Sequence, residues 1–372
     1  DEAGATYGTA GPIGIVVKQK NGKNALILGV SSYSNSGYAI TRSNDIEGIG
    51  VVEERYIGEG GLSNANIGWA RVFRSTSFVP AGNADSIRVS NRSLHLGVQT
   101  QYLFGQVSRS SILDITDPTF LDHRARVTAQ HRSISMDIGA ILDQLLFVNY
   151  NANREFQNSM ALRIGGVFTP ETALSSDISS LDETTQTLGG IPVNLDTSSF
   201  SSLLDFQGRM PHSLNGALSL HYDRSDGMRW AAALEYSSTA WGDVDGEMAP
   251  ELLSDGVRWV DAKTLRFGFQ FNLGNSEQRN PTWGKAIYRL GLATGNQPFE
   301  IDGTPISHQL ASAGATIPLV GSRSLSRIHF GMEFGTRSAA IDGIDERIYR
   351  INLGVSLMPF FKNNWLVPRL YD

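Results

Sequence analysis

The 372-residue chain contains no cysteine, so disulfides and thiolate metal sites are excluded. It also lacks an excess of positive charge. Its 31 Lys and Arg against 37 Asp and Glu leave a formal charge of −6 and a pI of about 5.7, which argues against nucleic acid as a partner. No run approaches the roughly 18 apolar residues of a membrane-spanning helix; the longest apolar stretch, "AILDQLLFV", is interrupted by Asp143 and Gln144. Proline is modest at 13 residues while glycine reaches 39, a composition suited to many turns between strands. The opening "DEAGAT" has neither Met nor an apolar core, and is read as a chain whose export signal has been removed or left out. Helical periodicity is nearly absent as well.

A period of two takes its place. In "LRFGFQFNLG", Leu265, Phe267, Phe269, Phe271 and Leu273 share one face, and Arg266, Gly268, Gln270 and Asn272 share the other. "RIHFGMEFG", "SLNGALSLHY", "SLHLGVQTQYLF" and "YRINLGVSL" alternate in the same way. Such segments are half-buried strands or the wall of a β-barrel, whose lipid-facing and lumen-facing residues cancel in mean hydropathy. A soluble sandwich or propeller also alternates. Three features favour the membrane barrel: strands longer than the usual five or six residues, polar faces carrying Arg, His, Glu and Gln, and aromatics gathered near strand ends.

Short turns at "NGK", "DRSDG", "GNSEQRNPT" and "GSRS" mostly alternate with longer links around 41–50, 106–120, 170–205, 241–257 and 338–345. Links at 74–91 and "IDGT" depart from the alternation. About thirteen strands are expected, near 11–20, 24–40, 55–73, 92–106, 131–150, 156–170, 206–222, 228–240, 259–274, 284–300, 304–319, 324–337 and 346–358. Bacterial single-chain barrels have even counts, so a fourteenth strand is expected to precede residue 1. The domain expectation is one antiparallel transmembrane barrel over 1–358, with a long extracellular loop at 170–205. An aromatic and basic periplasmic tail follows at 359–372.

The segments "SNSGYAI", "YIGEGGLSNANIGWARVF" and "SLHLGVQTQYLFGQVSRS", with the ending "ERIYRINLGVSLMPFFKNNWLVPRLYD", resemble Bacteroidota outer-membrane proteins of the FadL-like long-chain fatty-acid transporter family. The likeness extends over most of 25–372 and is weakest in 170–205. It implies a 14-stranded barrel in the outer membrane of a Gram-negative cell, with an N-terminal plug in the lumen and a lateral exit beside a kinked strand. The plug and its Asn-Pro-Ala stretch are not among these residues, so no gating residue carries over.

Candidate sites come from the polar faces. His95, Gln99, Gln101, Arg163, His221, Glu235, Arg266, Gln270, Arg327, His329, Glu333 and Arg350 are expected in the lumen. Arg266, Gln270, Arg327, His329, Glu333 and Arg350 form the candidate ligand set, since guanidinium suits a carboxylate head group. The competing reading is that they pair with one another and keep the lumen hydrated. Gly165 and Gly166 are the candidate kink for a lateral opening. Asp243, Asp245 and Glu247 lack the full EF-hand spacing, and Asp342 with Asp345 reads as a turn. No Gly-x-Ser-x-Gly or His-Glu-x-x-His occurs, so no enzymatic activity, metal or cofactor is expected. Within 170–205, Leu195, Phe200, Leu203, Leu204 and Phe206 read either as a greasy entry patch or partner contact, or as a loop folded over the barrel mouth.

Two functions remain open. The first is diffusive uptake of hydrophobic molecules such as long-chain fatty acids, each buried CH₂ contributing about 0.8 kcal/mol. The second is a docking or structural barrel in a larger outer-membrane complex; the resembled family includes the barrel beside the type IX secretion translocon. Expected partners are membrane lipid and lipopolysaccharide, a hydrophobic ligand, and other outer-membrane proteins. An apolar tunnel favours the first reading, and a lumen of Arg–Glu pairs the second.

Overall fold

The computed structural model describes residues 2–4, 12–20, 22–81, 85–117, 119–188, 191–244, 256–274, 285–318, 326–339 and 345–356. They form one antiparallel sheet of 18 strands. In chain order these are β1 (Glu2–Gly4), β2 (Ile13–Lys18), β3 (Asn24–Asn35), β4 (Tyr38–Ile46), β5 (Gly50–Ala81) and β6 (Asp85–Ile115). Next come β7 (Asp122–Tyr150), β8 (Phe156–Thr169), β9 (Thr172–Leu188), β10 (Ile191–Met210), β11 (Ser213–Arg224) and β12 (Met228–Thr239). The last six are β13 (Val257–Trp259), β14 (Ala262–Leu273), β15 (Ile287–Ile301), β16 (Thr304–Pro318), β17 (Arg327–Ser338) and β18 (Asp345–Ser356). No helix among the described residues is long and apolar enough to cross a membrane.

Setting aside β1, β4, β9, β10 and β13, which are short or distal, thirteen of the 18 strands form a continuous wall. It runs β2-β3-β5-β6-β7-β8-β11-β12-β14-β15-β16-β17-β18, each antiparallel to the next. An odd count makes the two outermost strands, β2 and β18, run in the same sense.

The outward face follows from the alternation. On β11 Leu214, Leu218, Leu220 and Tyr222 point one way, and Asn215, Ala217, Ser219 and His221 the other. In paired register, Tyr222 lies beside Trp230, Trp230 beside Phe271, and Phe271 beside Tyr288. Their rings stack edge to edge of the wall: Tyr222 and Trp230 at 5.7 Å, and Phe271 and Tyr288 at 5.1 Å. This belt sits at the short-turn end, where amphipathic rings meet head groups. At the other end Trp241 and Trp259 stack at 4.8 Å. From Leu214 to Tyr222 the apolar face is about 27 Å along the strand, or about 20 Å high at a tilt of about 40°, close to the apolar band of outer-membrane barrels. The expected aromatics Trp283, Phe360, Phe361 and Trp365, and the tail 359–372, lie outside the described residues.

Above the band the wall becomes a free-standing sheet, β4-β5-β6-β7-β9-β10, on one side of the barrel. The change happens along one belt. Ser36–Gly37 separates β3 from β4, Pro170 separates β8 from β9, and Pro211 separates β10 from β11. Proline cannot donate to a ladder, so it ends strands here. Across the belt Gly60 has φ +98° and a Cβ there would lie 2.2 Å from the Gln106 carbonyl oxygen, so only glycine fits.

This sheet corrects the sequence expectation at three links. Residues 41–46 and 106–115 are strand extensions, and 172–188 with 191–205 belong to the β9–β10 hairpin rather than to an irregular loop. Its strands are rich in Ser and Thr, half-buried along most of β9 and exposed along most of β10, so period two has little apolar signature there. A small core of Ala129 and Ile178, flanked by Val127 and Phe206, holds β7, β9 and β10 together. Residues 74–81 and 85–91 are likewise strand, since β5 and β6 continue past the other turns at the short-turn end.

Candidate functional site

Neighbouring strands set the lumen. Arg266 stands opposite Glu235 across β14 and β12, and its Nη1 donates to Glu235 Oε1 at 2.8 Å and to Ser237 Oγ at 3.2 Å. Arg350 donates to Glu333 across β18 and β17. His329 bridges Thr316 Oγ1 at 2.9 Å and Ser356 Oγ at 2.8 Å. Gln270 accepts from Arg289 Nε at 3.2 Å. Arg327 is in register with Pro318 and Ser356. All six predicted residues therefore share the luminal face of β14, β17 and β18. They do not converge on one point: Arg266, Glu333 and Arg350 belong to two Arg–Glu rungs and His329 to a hydroxyl–imidazole rung, while Gln270 and Arg327 line a niche at the short-turn end.

Gly165 and Gly166 sit in β8 between β7 and β11 with no break in either ladder. Gly165 faces the lumen opposite Ala217 and Gly166 faces lipid opposite Gly216. A Cβ on Gly165 would approach Ile141 Cγ1 at 3.1 Å, so the glycine serves close packing of the wall in this state. The register shift between β7 and β8 lies lower, between Leu145 and Phe147.

Two luminal acids organise the opposite wall and were not singled out from sequence. Asp143 receives Arg163 Nε at 2.5 Å, with His95 Nε2 at 3.2 Å and Ser93 Oγ at 3.4 Å. Asp137 accepts from Gln101 and from Thr169 Oγ1 at 2.7 Å. Gln101 in turn accepts from Asn64 Nδ2 at 2.8 Å, and Asn64 accepts from Ser31 Oγ at 2.5 Å. The chain Ser31–Asn64–Gln101–Asp137–Thr169 thus crosses five adjacent strands, β3, β5, β6, β7 and β8. Its signal was the shared parity of Asp137 and Asp143, hidden inside a segment whose Leu and Ile dominate. Ser93, His95 and Asp143 do not make a proton relay. Ser93 and Asp143 meet the same imidazole nitrogen, Nε2, and a relay needs both nitrogens.

Two spaces open on this lumen. One, of about 750 Å³, has a floor of small residues, Ala70, Gly97, Gly139, Gly165 and Ala217, beside Ile141. The second, of about 430 Å³, lies at the short-turn end against β12, β14, β15, β16 and β17. No group of three metal-ligating side chains occurs among the described residues. Asp245, Glu247 and Asp342 lie outside them.

A lipid-facing apolar band edged by stacked aromatics, around a hydrogen-bonded polar lumen, defines a membrane β-barrel of the outer-membrane type. The chain belongs to the BamG family, an outer-membrane β-barrel family whose model matches residues 13–372. No curated protein matches it. Among solved structures it is similar to the CymD monoaromatic hydrocarbon channel, at 14% identity and a TM-score of 0.45, over 93% of this chain and 81% of that one.

Proposed function

We propose that this protein is a docking or structural barrel within a larger outer-membrane complex, with its one-sided extracellular sheet as the contact surface. The observation that carries the reading is the lumen. Its guanidiniums Arg163, Arg266 and Arg350 each hold a carboxylate on the next strand, and the Ser31–Thr169 chain spans the opposite side. An acyl chain entering between those pairs would displace charge-assisted bonds. The sheet above the barrel presents Val193, Leu195, Phe200 and Leu204 exposed on β10, an edge strand whose unpaired backbone is a template for a partner. Membership of the BamG family supports a barrel in an assembly complex.

The test is affinity purification of the tagged chain from native membranes after brief cross-linking. Stoichiometric recovery of one or more outer-membrane proteins is expected, weakened by Phe200→Asp with Leu204→Asp. Recovery of the barrel alone would overturn the reading.

A second reading, FadL-like diffusive uptake of hydrophobic molecules in a Bacteroidota outer membrane, draws support from the 750 Å³ space and its Gly and Ala floor. Oleate entry into vesicles bearing the purified barrel would favour it, and entry no faster than into empty vesicles would remove it.

A further inference from the structure

Arg163, Arg266 and Arg350 each face an acid, but the short-turn end of the lumen breaks that pattern. The 430 Å³ niche there is lined by Arg229, Lys285 and Arg327 with Gln270, Asn272 and Thr316, and no carboxylate is part of its lining. Asp223 takes up Arg229 at 3.0 Å. The side chains of Arg327 and Lys285 have no hydrogen-bond or ion-pair partner among the described residues. Arg289 adds a further cation from the middle of the same surface. Its Nη1 donates to Thr316 Oγ1 at 2.6 Å and its Nε to Gln270 at 3.2 Å, both part of the lining.

The register gathers these groups. Arg229 lies beside Asn272, Asn272 beside Ile287, and Ile287 beside Thr316, while Arg327 is opposite Pro318. All lie on the luminal face of five consecutive strands, within one turn of the strand ends marked by Gly227 and Gly274. Cations that share one surface repel one another, and a shared anion removes that repulsion.

We propose that this niche binds an oxyanion, a phosphate or carboxylate group, held by Arg327 and Lys285 with Arg289 behind them. Guanidinium offers paired donors to two oxygens and the ammonium supplies a point charge. The volume admits a head group. Ile287 and Pro318 are the main apolar surfaces of the lining, so the body of an amphiphile stays outside, toward the mouth. The site stands apart from the extracellular surface and does not depend on the docking reading.

The experiment is isothermal titration of the refolded chain in dodecyl maltoside, an uncharged detergent, with inorganic phosphate and with decyl phosphate. Saturable binding is expected. The double variant Lys285→Gln with Arg327→Gln should weaken it about tenfold or more, while Arg347→Gln on β18 leaves it unchanged. Equal affinity for both probes assigns the site to the free anion, and tighter decyl phosphate assigns it to a lipid-like head group; either pattern supports the site. No saturable binding at millimolar phosphate, or equal weakening by Arg347→Gln, overturns it. Should the double variant fail to refold, acetylation of Lys285 in the unmodified protein gives the same decision. Protection by phosphate supports the site, and equal labelling with and without phosphate overturns it.

Discussion

Leu218 lies at the middle of the apolar band, between Ile164 on β8 and Leu234 on β12. Replacing it with arginine puts a guanidinium against hydrocarbon with no acid in register on either side. At mid-bilayer such a charge costs about 2–4 kcal/mol in outer-membrane barrels, a shift of about 30- to 1000-fold in the folding equilibrium. Ala233→Arg provides the internal comparison. Ala233 is one residue from Leu234 in sequence but faces the lumen, beside Ser219 and Gly268. At Gly268 a Cβ would meet nothing within 4 Å. A long side chain there reaches water-filled space, and the cost should stay below about 1 kcal/mol. The assay is urea titration of folding into short-chain phosphatidylcholine vesicles, followed by tryptophan fluorescence and heat-modifiable electrophoretic mobility. Equal costs at the two positions, or a larger cost at Ala233, would refute the assignment of faces.

Asp226, in the β11–β12 turn outside the membrane band, is pushed down to about 2 by hydrogen bonds from Arg224 and from the Met228 amide. Its ionised form is favoured by the fold, so the turn's stabilisation is complete above about pH 4 and lost as pH falls through 2. A carboxylate titration midpoint near 2 is expected by NMR, moving up in Arg224→Gln; an ordinary midpoint in the parent protein would refute the contact. Gly60→Ala should destabilise by about 1–3 kcal/mol through backbone strain at positive φ, read as a lower urea midpoint, and a neutral result would deny the close approach to Gln106. For Arg350 and Glu333, about half and one-fifth exposed, a double-mutant cycle should give a coupling of about 0.2–1 kcal/mol; a value above about 3 kcal/mol would mean a dry lumen.

Most of the wall was legible in the sequence because its two environments differ sharply. Along Leu265–Leu273 every lipid-facing residue is apolar and every luminal one is polar or glycine, so strand, face and rough boundary could be read together. The free-standing sheet beyond the apolar band was not legible. Residues such as Ser179, Ser180, Thr184 and Thr185 on β9 are half-buried polar side chains between β7 and β10, so their strand character comes from backbone pairing and the sequence carries little apolar rhythm there. The site was half legible. Parity placed Arg266, Glu333 and Arg350 on the luminal face, but which acid each would meet depends on strand register, which a single sequence does not carry. Asp137 and Asp143 were overlooked because their segment reads first as an interrupted apolar run. The niche around Arg327 required β12, β14, β15, β16 and β17 to be brought side by side.

The absence of cysteine permits single-cysteine spin labelling with no background. Placed in turn at positions 265 through 273 of β14 in bilayers, the labels report whether each site meets lipid or water. Collision with oxygen should peak at 265, 267, 269, 271 and 273, and collision with a water-soluble nickel chelate at 266, 268, 270 and 272. A profile without that two-residue alternation, or with the two sets exchanged, would contradict the barrel wall on which the polar lumen and the proposed docking role rest.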